Sequence, residues 1–216
     1  MKEISPQLIL TDRDRQLLQT LVEKVRLFGL RQIAEHWWRD EMANARRRLR
    51  RLASAGMVTR ITVQARPLPQ LLGPIATWKP DAVAPEFGPV AHQLQSRWRK
   101  RPVRASTAYI ATQHASQLFG GTARGELKHT LQATHDLGVA AVWLRLHDQA
   151  PEWADAWRSE DLLAHTRRGE KLPDAFLVNA TGDVVCVVEF GGSYDTRRVR
   201  EFHEDCVDRR LPYQIW

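Results

Sequence analysis

A chain of 216 residues with 43% apolar side chains can hold one large domain or two small ones around a real core, and no apolar run approaches the roughly eighteen residues of a membrane-spanning helix. Its two cysteines, Cys186 and Cys206, are too few for a disulfide framework or a zinc site, and the acidic residue Glu3 interrupts the start where a signal peptide needs an apolar stretch, so a cytoplasmic protein without membrane contact is expected. The net charge of +7 is uneven: residues 1–105 hold 20 Lys+Arg against 9 Asp+Glu, net +11, and residues 106–216 hold 12 against 16, net −4.

Thr11 is a helix N-cap with Asp12 and Asp14 in the first turn, and Leu17, Leu18, Leu21, Val22 and Val25 recur at helical spacing, which predicts a helix over about 12–27. Phe28-Gly29 breaks it, and Leu30, Ile33, Ala34 and Trp37 predict a short second helix. Met42, Ala45, Leu49 and Leu52 form the inward stripe of a third, ending at Ala55-Gly56. The β-branched segment Met57–Val63 predicts a strand, and Leu72–Trp78 a second one completing a hairpin. Pro80, Pro85 and Pro89 mark a linker, followed by a helix over 90–100 and a strand over 106–112.

The second half reads as α/β. The expected elements are a helix over about 123–137, an apolar strand Val139–Leu146 and an acidic Trp-containing stretch over 151–165. Strands Asp174–Asn179 and Val184–Phe190 then flank a Thr181-Gly182-Asp183 turn, before helix Thr196–Arg209 and a last strand Pro212–Trp216. The pattern divides the chain into residues 1–80, a connecting segment 81–105, and residues 106–216.

A basic footprint concentrated in one region marks where a polyanion would lie. Arg46, Arg47, Arg48, Arg50 and Arg51 sit on faces of the third helix left free by its apolar stripe. Five guanidiniums on one helix repel each other unless an anion lies against them. Helix, turn, helix, strand and hairpin in this order are the parts of a winged helix-turn-helix, whose second motif helix enters the major groove of duplex DNA. In that geometry Asn44, Arg47 and Arg48 approach base edges, while Arg50, Arg51, Arg60 and Arg66 meet phosphate. The alternative is a solvated basic helix in an ordinary helical domain.

Asp174 begins one predicted strand and Glu189 ends the next, so two carboxylates can converge on a hard cation, Mg²⁺ or Mn²⁺, with Glu160 or Asp161 adding an oxygen. That constellation suits metal-assisted phosphodiester hydrolysis. The lysine expected two residues after the second acid is replaced by Gly191, and Arg197 or Arg198 is left to supply the positive charge. Against this stand structural roles for Asp174 as a turn residue and Glu189 as an arginine partner. His129 and His135, six apart, suit neither a shared helix face nor a zinc pair. Tyr194 after Gly191-Gly192-Ser193 is either a nucleophile or a loop residue.

Leu10-Thr11-Asp12-Arg13-Asp14, the segment Ala45–Leu52 before Ala55-Gly56-Met57, Trp157-Arg158-Ser159-Glu160, Leu172-Pro173-Asp174-Ala175 and Val188-Glu189-Phe190 together give a pattern that resembles the replication-relaxation family of plasmid and integrative-element proteins, which includes relaxases of the MobC type. The resemblance implies an α+β protein: a winged helix-turn-helix joined to a small PD-(D/E)xK nuclease-like domain, acting in plasmid mobilisation or replication. Gly191 departs from the nuclease pattern. The expected function is recognition of duplex DNA as an accessory factor of a mobile element, needing no cofactor for binding. The alternatives are a Mg²⁺- or Mn²⁺-dependent nickase using Glu160, Asp174 and Glu189, and an assembly factor whose C-terminal half, ending in Ile215-Trp216, recruits a second copy or another mobile-element protein.

Overall fold

The computed structural model describes residues 8–121, 132–159 and 173–216. The chain is mixed α+β with two sheets and forms two compact units, Met1–Val63 with Ala105–Glu126 and Gln64–Arg104 with Leu127–Trp216. Among the described residues no helix is long and apolar enough to cross a membrane.

The first unit begins with α1 (Asp12–Glu23), which buries Leu17, Leu18, Leu21 and Val22. The Thr11 side chain accepts from the Asp14 N–H, and the Asp14 carboxylate accepts in return from the Thr11 N–H at 2.8 Å, closing a capping box. The helix ends at Glu23 rather than at about 27, and Phe28–Gly29 form a two-residue strand, β1. Helix α2 (Leu30–Trp38) follows, and the chain turns through Arg39 and Asp40, both in the left-handed region, into α3 (Met42–Ser54). That helix buries Ala45, Leu49 and Leu52, three positions of its expected stripe.

Strand β2 (Val58–Ala65) is the expected strand, starting one residue later and ending two residues later, but its expected hairpin partner lies elsewhere. The chain passes into the second unit, forms β3 (Ala76–Trp78) and α4 (Phe87–Ser96), and returns as β4 (Arg104–Ala111), which lies between β1 and β2 in a three-stranded sheet of order β1-β4-β2. Phe28 and Gly29 pair antiparallel with Tyr109 and Ala108. The correction has a packing cause: Ala76 and Trp78 are buried in the second core, Trp78 stacked 5.8 Å from Tyr213, so β3 satisfies its backbone on β8 (Tyr213–Ile215). Helix α5 (Gln113–Phe119), capped by Thr112 and not anticipated, closes the unit. Residues 64–80 group with the second unit, and the described residues 105–121 with the first.

In the second unit the expected strand Val139–Leu146 lies inside a helix, α6 (Gln132–Gln149). A continuous apolar run fits a buried helix as well as a buried strand; here Ala133, Leu137, Ala140, Trp143 and Leu146 recur at spacings of three and four and are all buried. Helix α7 (Pro151–Ala156) and strands β5 (Trp157–Ser159), β6 (Ala175–Val178) and β7 (Val184–Glu189) follow, then α8 (Thr196–Asp208) and β8. The sheet order is β3-β8-β7-β6-β5; β5, β6 and β7 run antiparallel, and α8 carries the chain over to β8, parallel to β7. Leu94, Phe176, Val187, Val199 and Tyr213 lie at the centre of the core.

One ion pair ties α1 to α3. Asp14 is fully buried, and Arg48 reaches it through Nε at 3.0 Å and Nη2 at 2.5 Å while Nη2 also donates to the Ile9 carbonyl at 2.7 Å. Burial disfavours the Asp14 charge, but the hydrogen bonds from Arg48 and Thr11 more than reverse this and hold its carboxyl below the usual carboxylate range. Arg48→Met should therefore destabilise the first unit by roughly 3 kcal/mol, the low end for a broken buried pair because Arg48 stays partly exposed. Because the Asp14 pKa is depressed, the stabilisation is present above about pH 4 and lost as pH falls through the folded value. Chemical denaturation from pH 7 to pH 3 should show that loss in the native chain and not in Asp14→Asn.

Candidate functional site

The basic surface is built on α3. With Ala45, Leu49 and Leu52 turned inward, Arg46, Arg47, Arg50 and Arg51 are exposed. Arg46 and Arg50 lie one turn apart on the flank towards the sheet. Their charges, with that of Arg60 on β2, act on the Tyr109 hydroxyl of β4, whose pKa burial raises and the three arginines partly pull back. Arg60 donates to Thr107 Oγ1 at 3.5 Å. No described carboxylate pairs with Arg46, Arg50, Arg51 or Arg60, and like charges four apart on a helix cost roughly 0.3 kcal/mol each.

Three of the expected contact residues stand differently. Arg48 is turned away from the exposed face by Asp14, so it does not join the base-facing set; geometry that sequence spacing cannot show gives it a structural task. Asn44 is held at both ends of its amide, Nδ2 donating to the Glu41 carboxylate and Oδ1 accepting from Arg47 Nη2 at 2.6 Å. Arg66 belongs to the second unit, where its N–H donates to Thr134 Oγ1 at 3.0 Å.

The acidic cluster lies in the second unit. Asp174 precedes β6, Glu189 ends β7, and the Ala175–Val188 register sets the two acids side by side. Helix α6 completes the cluster because Gly138 lets it rest on Phe190: a Cβ there would lie 2.1 Å from the ring. One turn earlier His135 Nε2 sits 3.3 Å from Asp174 Oδ1, its ring edge-on to Phe190. The second Asp174 oxygen accepts from the Phe190 N–H at 2.6 Å. Glu189 Oε2 accepts from the Asp174 N–H at 3.2 Å, and Oε1 accepts from the Tyr194 hydroxyl. The Arg198 guanidinium stacks 5.1 Å over the Tyr194 ring.

All four carboxylate oxygens therefore accept a hydrogen bond or ion pair from the protein. Burial works against charge on His135, but Asp174, Asp136 and Glu189 outweigh it and raise its pKa to about 9. Burial, then the neighbouring Asp174 charge, pushes the Glu189 carboxyl well above the usual range, so its neutral form is favoured. Burial and the Glu189 charge push the Tyr194 hydroxyl up as well, which is the wrong direction for a nucleophile. These residues do not fit a hard dication: His135 already brings a positive charge to Asp174, and Mg²⁺ or Mn²⁺ would have to displace His135 and Tyr194 from the oxygens it needs.

Glu160 lies outside the described residues. Arg197 does not turn to the acids: its side chain is 83% exposed and faces Glu201 at 3.9 Å. Its neighbour Arg198 takes the place beside Tyr194. A lysine at position 191 has no room, since a Cβ on Gly191 would come within 2.9 Å of both Leu94 and Ile215. His135 is the residue that sequence reasoning missed. Extending α6 through the run read as a strand would have placed His135 and Gly138 on one face, which is the available signal.

No protein-family model, curated protein or solved structure matches the chain.

The cluster makes a pH-dependent contribution of definite sign. His135 is raised above 6.5 and Glu189 above 4.5, so both groups stabilise the fold at low pH and lose that contribution as pH rises, His135 between about 6.5 and about 9. The Tm of the second unit should fall over that interval, and His135→Gln should flatten the profile. Glu189→Gln, which keeps an acceptor for Tyr194, should be tolerated at pH 6, well below the value of about 8 to which Glu189 is raised; a large loss there would mean that Glu189 is ionised.

Proposed function

We propose that the chain is a duplex-DNA-binding protein whose first unit is a winged helix-turn-helix and whose second is a nuclease-like core that no longer holds a metal. The observation that carries this reading is the exposure of Arg46, Arg47, Arg50 and Arg51 on one helix and of Arg60 on β2, with no carboxylate among the described residues paired with Arg46, Arg50, Arg51 or Arg60. Such a surface is unfavourable alone and favourable against phosphates, because neutralising them releases condensed counterions. Two features support the winged-helix assignment: three helices, with the short β1 between the first two, precede the two longer strands, and the β1-β4-β2 order puts the returning strand in the middle. α3 is the recognition helix, with Arg47 nearest the centre of its exposed face and Arg50 beside it on the flank towards the sheet. Arg46, Arg51 and Arg60 flank it towards the backbone.

Among the described residues the succession α6, α7, β5, β6, β7, α8, β8, with three antiparallel strands and one parallel return, supports the nuclease-like assignment. It favours a second reading, a metal-dependent nickase, because Asp174 and Glu189 stand on adjacent strands as that chemistry requires. The closed position at Gly191 and the saturated carboxylates favour the binding role over it. Ile215 and Trp216 are buried and offer no recruiting surface, which leaves the assembly reading without its expected anchor. The resemblance to the replication-relaxation family points to an accessory role in mobilisation or replication of a plasmid or related element.

A gel shift on duplex DNA combined with cleavage of supercoiled plasmid in Mg²⁺ and Mn²⁺ tests both readings. Binding should need no metal, and each of Arg46→Ala and Arg50→Ala should lower the salt slope by about one and the affinity several-fold at any sequence. Plasmid should stay supercoiled. Metal-dependent nicking that disappears in both Asp174→Ala and Glu189→Ala would establish the enzyme instead, and affinity unchanged in the arginine variants would remove α3 as the contact.

A further inference from the structure

We propose that a cleft on the opposite flank of α3 from Tyr109 is a phosphate-binding site. It is an open cavity of about 340 Å³ within the first unit, walled by Thr11, Arg13 and Asp14 of the start of α1, Trp38 at the end of α2, and Asn44, Arg47, Arg48 and Arg51 of α3, with Glu41 at its rim. That size lies at the small end of ligand pockets, roughly 300–1,000 Å³, and suits a phosphodiester with its sugar or a nucleotide.

The chemistry of the walls selects the ligand. Four arginines face two carboxylates, and both carboxylates are already engaged, Asp14 by Arg48 and Glu41 by the Asn44 amide. Arg48 therefore contributes its position rather than free donors. Arg13, Arg47 and Arg51 remain. The Arg13 guanidinium lies 5.2 Å from the centre of the buried Trp38 ring, a cation–π contact that holds the group at the cleft without using its N–H donors on a described acceptor. Arg47 spends one Nη2 bond on Asn44 Oδ1, which orients the group and leaves its other nitrogens available. Arg51 has no partner among the described residues. Three planar forks, one held by a ring and one tethered, around an open cavity match the several acceptor oxygens of a phosphate better than a single carboxylate.

The phosphate has two conceivable sources, the backbone of the DNA proposed above or a free nucleotide or phosphate ion. The site itself does not rest on the DNA reading; that reading supplies only the first source.

The test uses the full chain, with inorganic pyrophosphate as the free probe and a duplex titrated against salt as the other. Arg13→Ala and Arg51→Ala change exposed side chains, and circular dichroism checks that each variant is folded. Pyrophosphate should raise the native Tm beyond sodium chloride of equal ionic strength. That shift should be lost in both variants and kept in Arg46→Ala, which lies on the other flank. If the backbone is the source, each cleft variant also lowers the salt slope of duplex binding by about one. Loss of the pyrophosphate shift with an unchanged slope identifies a free anion as the ligand, and a pyrophosphate shift in a protein that binds no duplex keeps the cleft while removing the DNA reading. The proposal is overturned if Arg13→Ala and Arg51→Ala alter neither the pyrophosphate response nor the salt slope.

Discussion

The Arg48–Asp14 pair fixes the geometry on which the first unit depends. One buried carboxylate closes the cap of α1 and receives the guanidinium of a residue 34 positions later, so the start of one helix and the roll of another are set by the same two oxygens. Rolling α3 would drag Arg48 off Asp14 and leave an uncompensated charge in the interior, the costly way to break such a pair. The roll in turn decides what the remaining arginines face. Arg46 and Arg50 fall towards the sheet, and Arg47 and Arg51 fall towards α1.

The second unit treats charge in the opposite way. Its acidic cluster is closed from within: an imidazole, a phenol and two backbone N–H groups meet four carboxylate oxygens, and the glycine at 138 brings the helix that carries the imidazole close enough. Buried polar networks are stable only when every member is satisfied. His135 supplies the positive charge that two neighbouring acids need. The contrast between the units, cations left open in one and acids closed in the other, is the physical basis for assigning contact with a polyanion to the first.

The first three α-helices were legible because their signals are local. Thr11 with Asp14, the stripe Ala45/Leu49/Leu52 and the break at Gly56 all act within a few residues. The sheet was not legible, because the partner of β2 is β4, some forty residues on, and adjacency in sequence favoured Leu72–Trp78 instead. Only the burial of Trp78 against Tyr213 removes that segment from the first sheet. The stretch Val139–Leu146 failed for a related reason: a run apolar on all sides carries no period from which to choose helix or strand. At the sites, the strand pattern was enough to place Asp174 and Glu189 side by side, whereas the fate of Arg48 and the arrival of His135 depend on contacts between elements. Arg197 and Arg198 differ by one residue, hence by about 100° around α8, and no local rule says which of them turns inward.

The insertion between β2 and β4 also governs how the chain can be divided. The backbone crosses between the units three times, after Val63, Arg104 and Glu126, so no single cut yields two intact pieces. A fragment ending near residue 80 would keep the arginine helix but lose the strand that covers Phe28 and the helix that follows it, leaving a bare sheet edge prone to self-pairing. During synthesis the first unit cannot complete its sheet until β4 has been made. A segment of the second unit therefore emerges while the first is still open, and the two units are bound to a shared order of assembly.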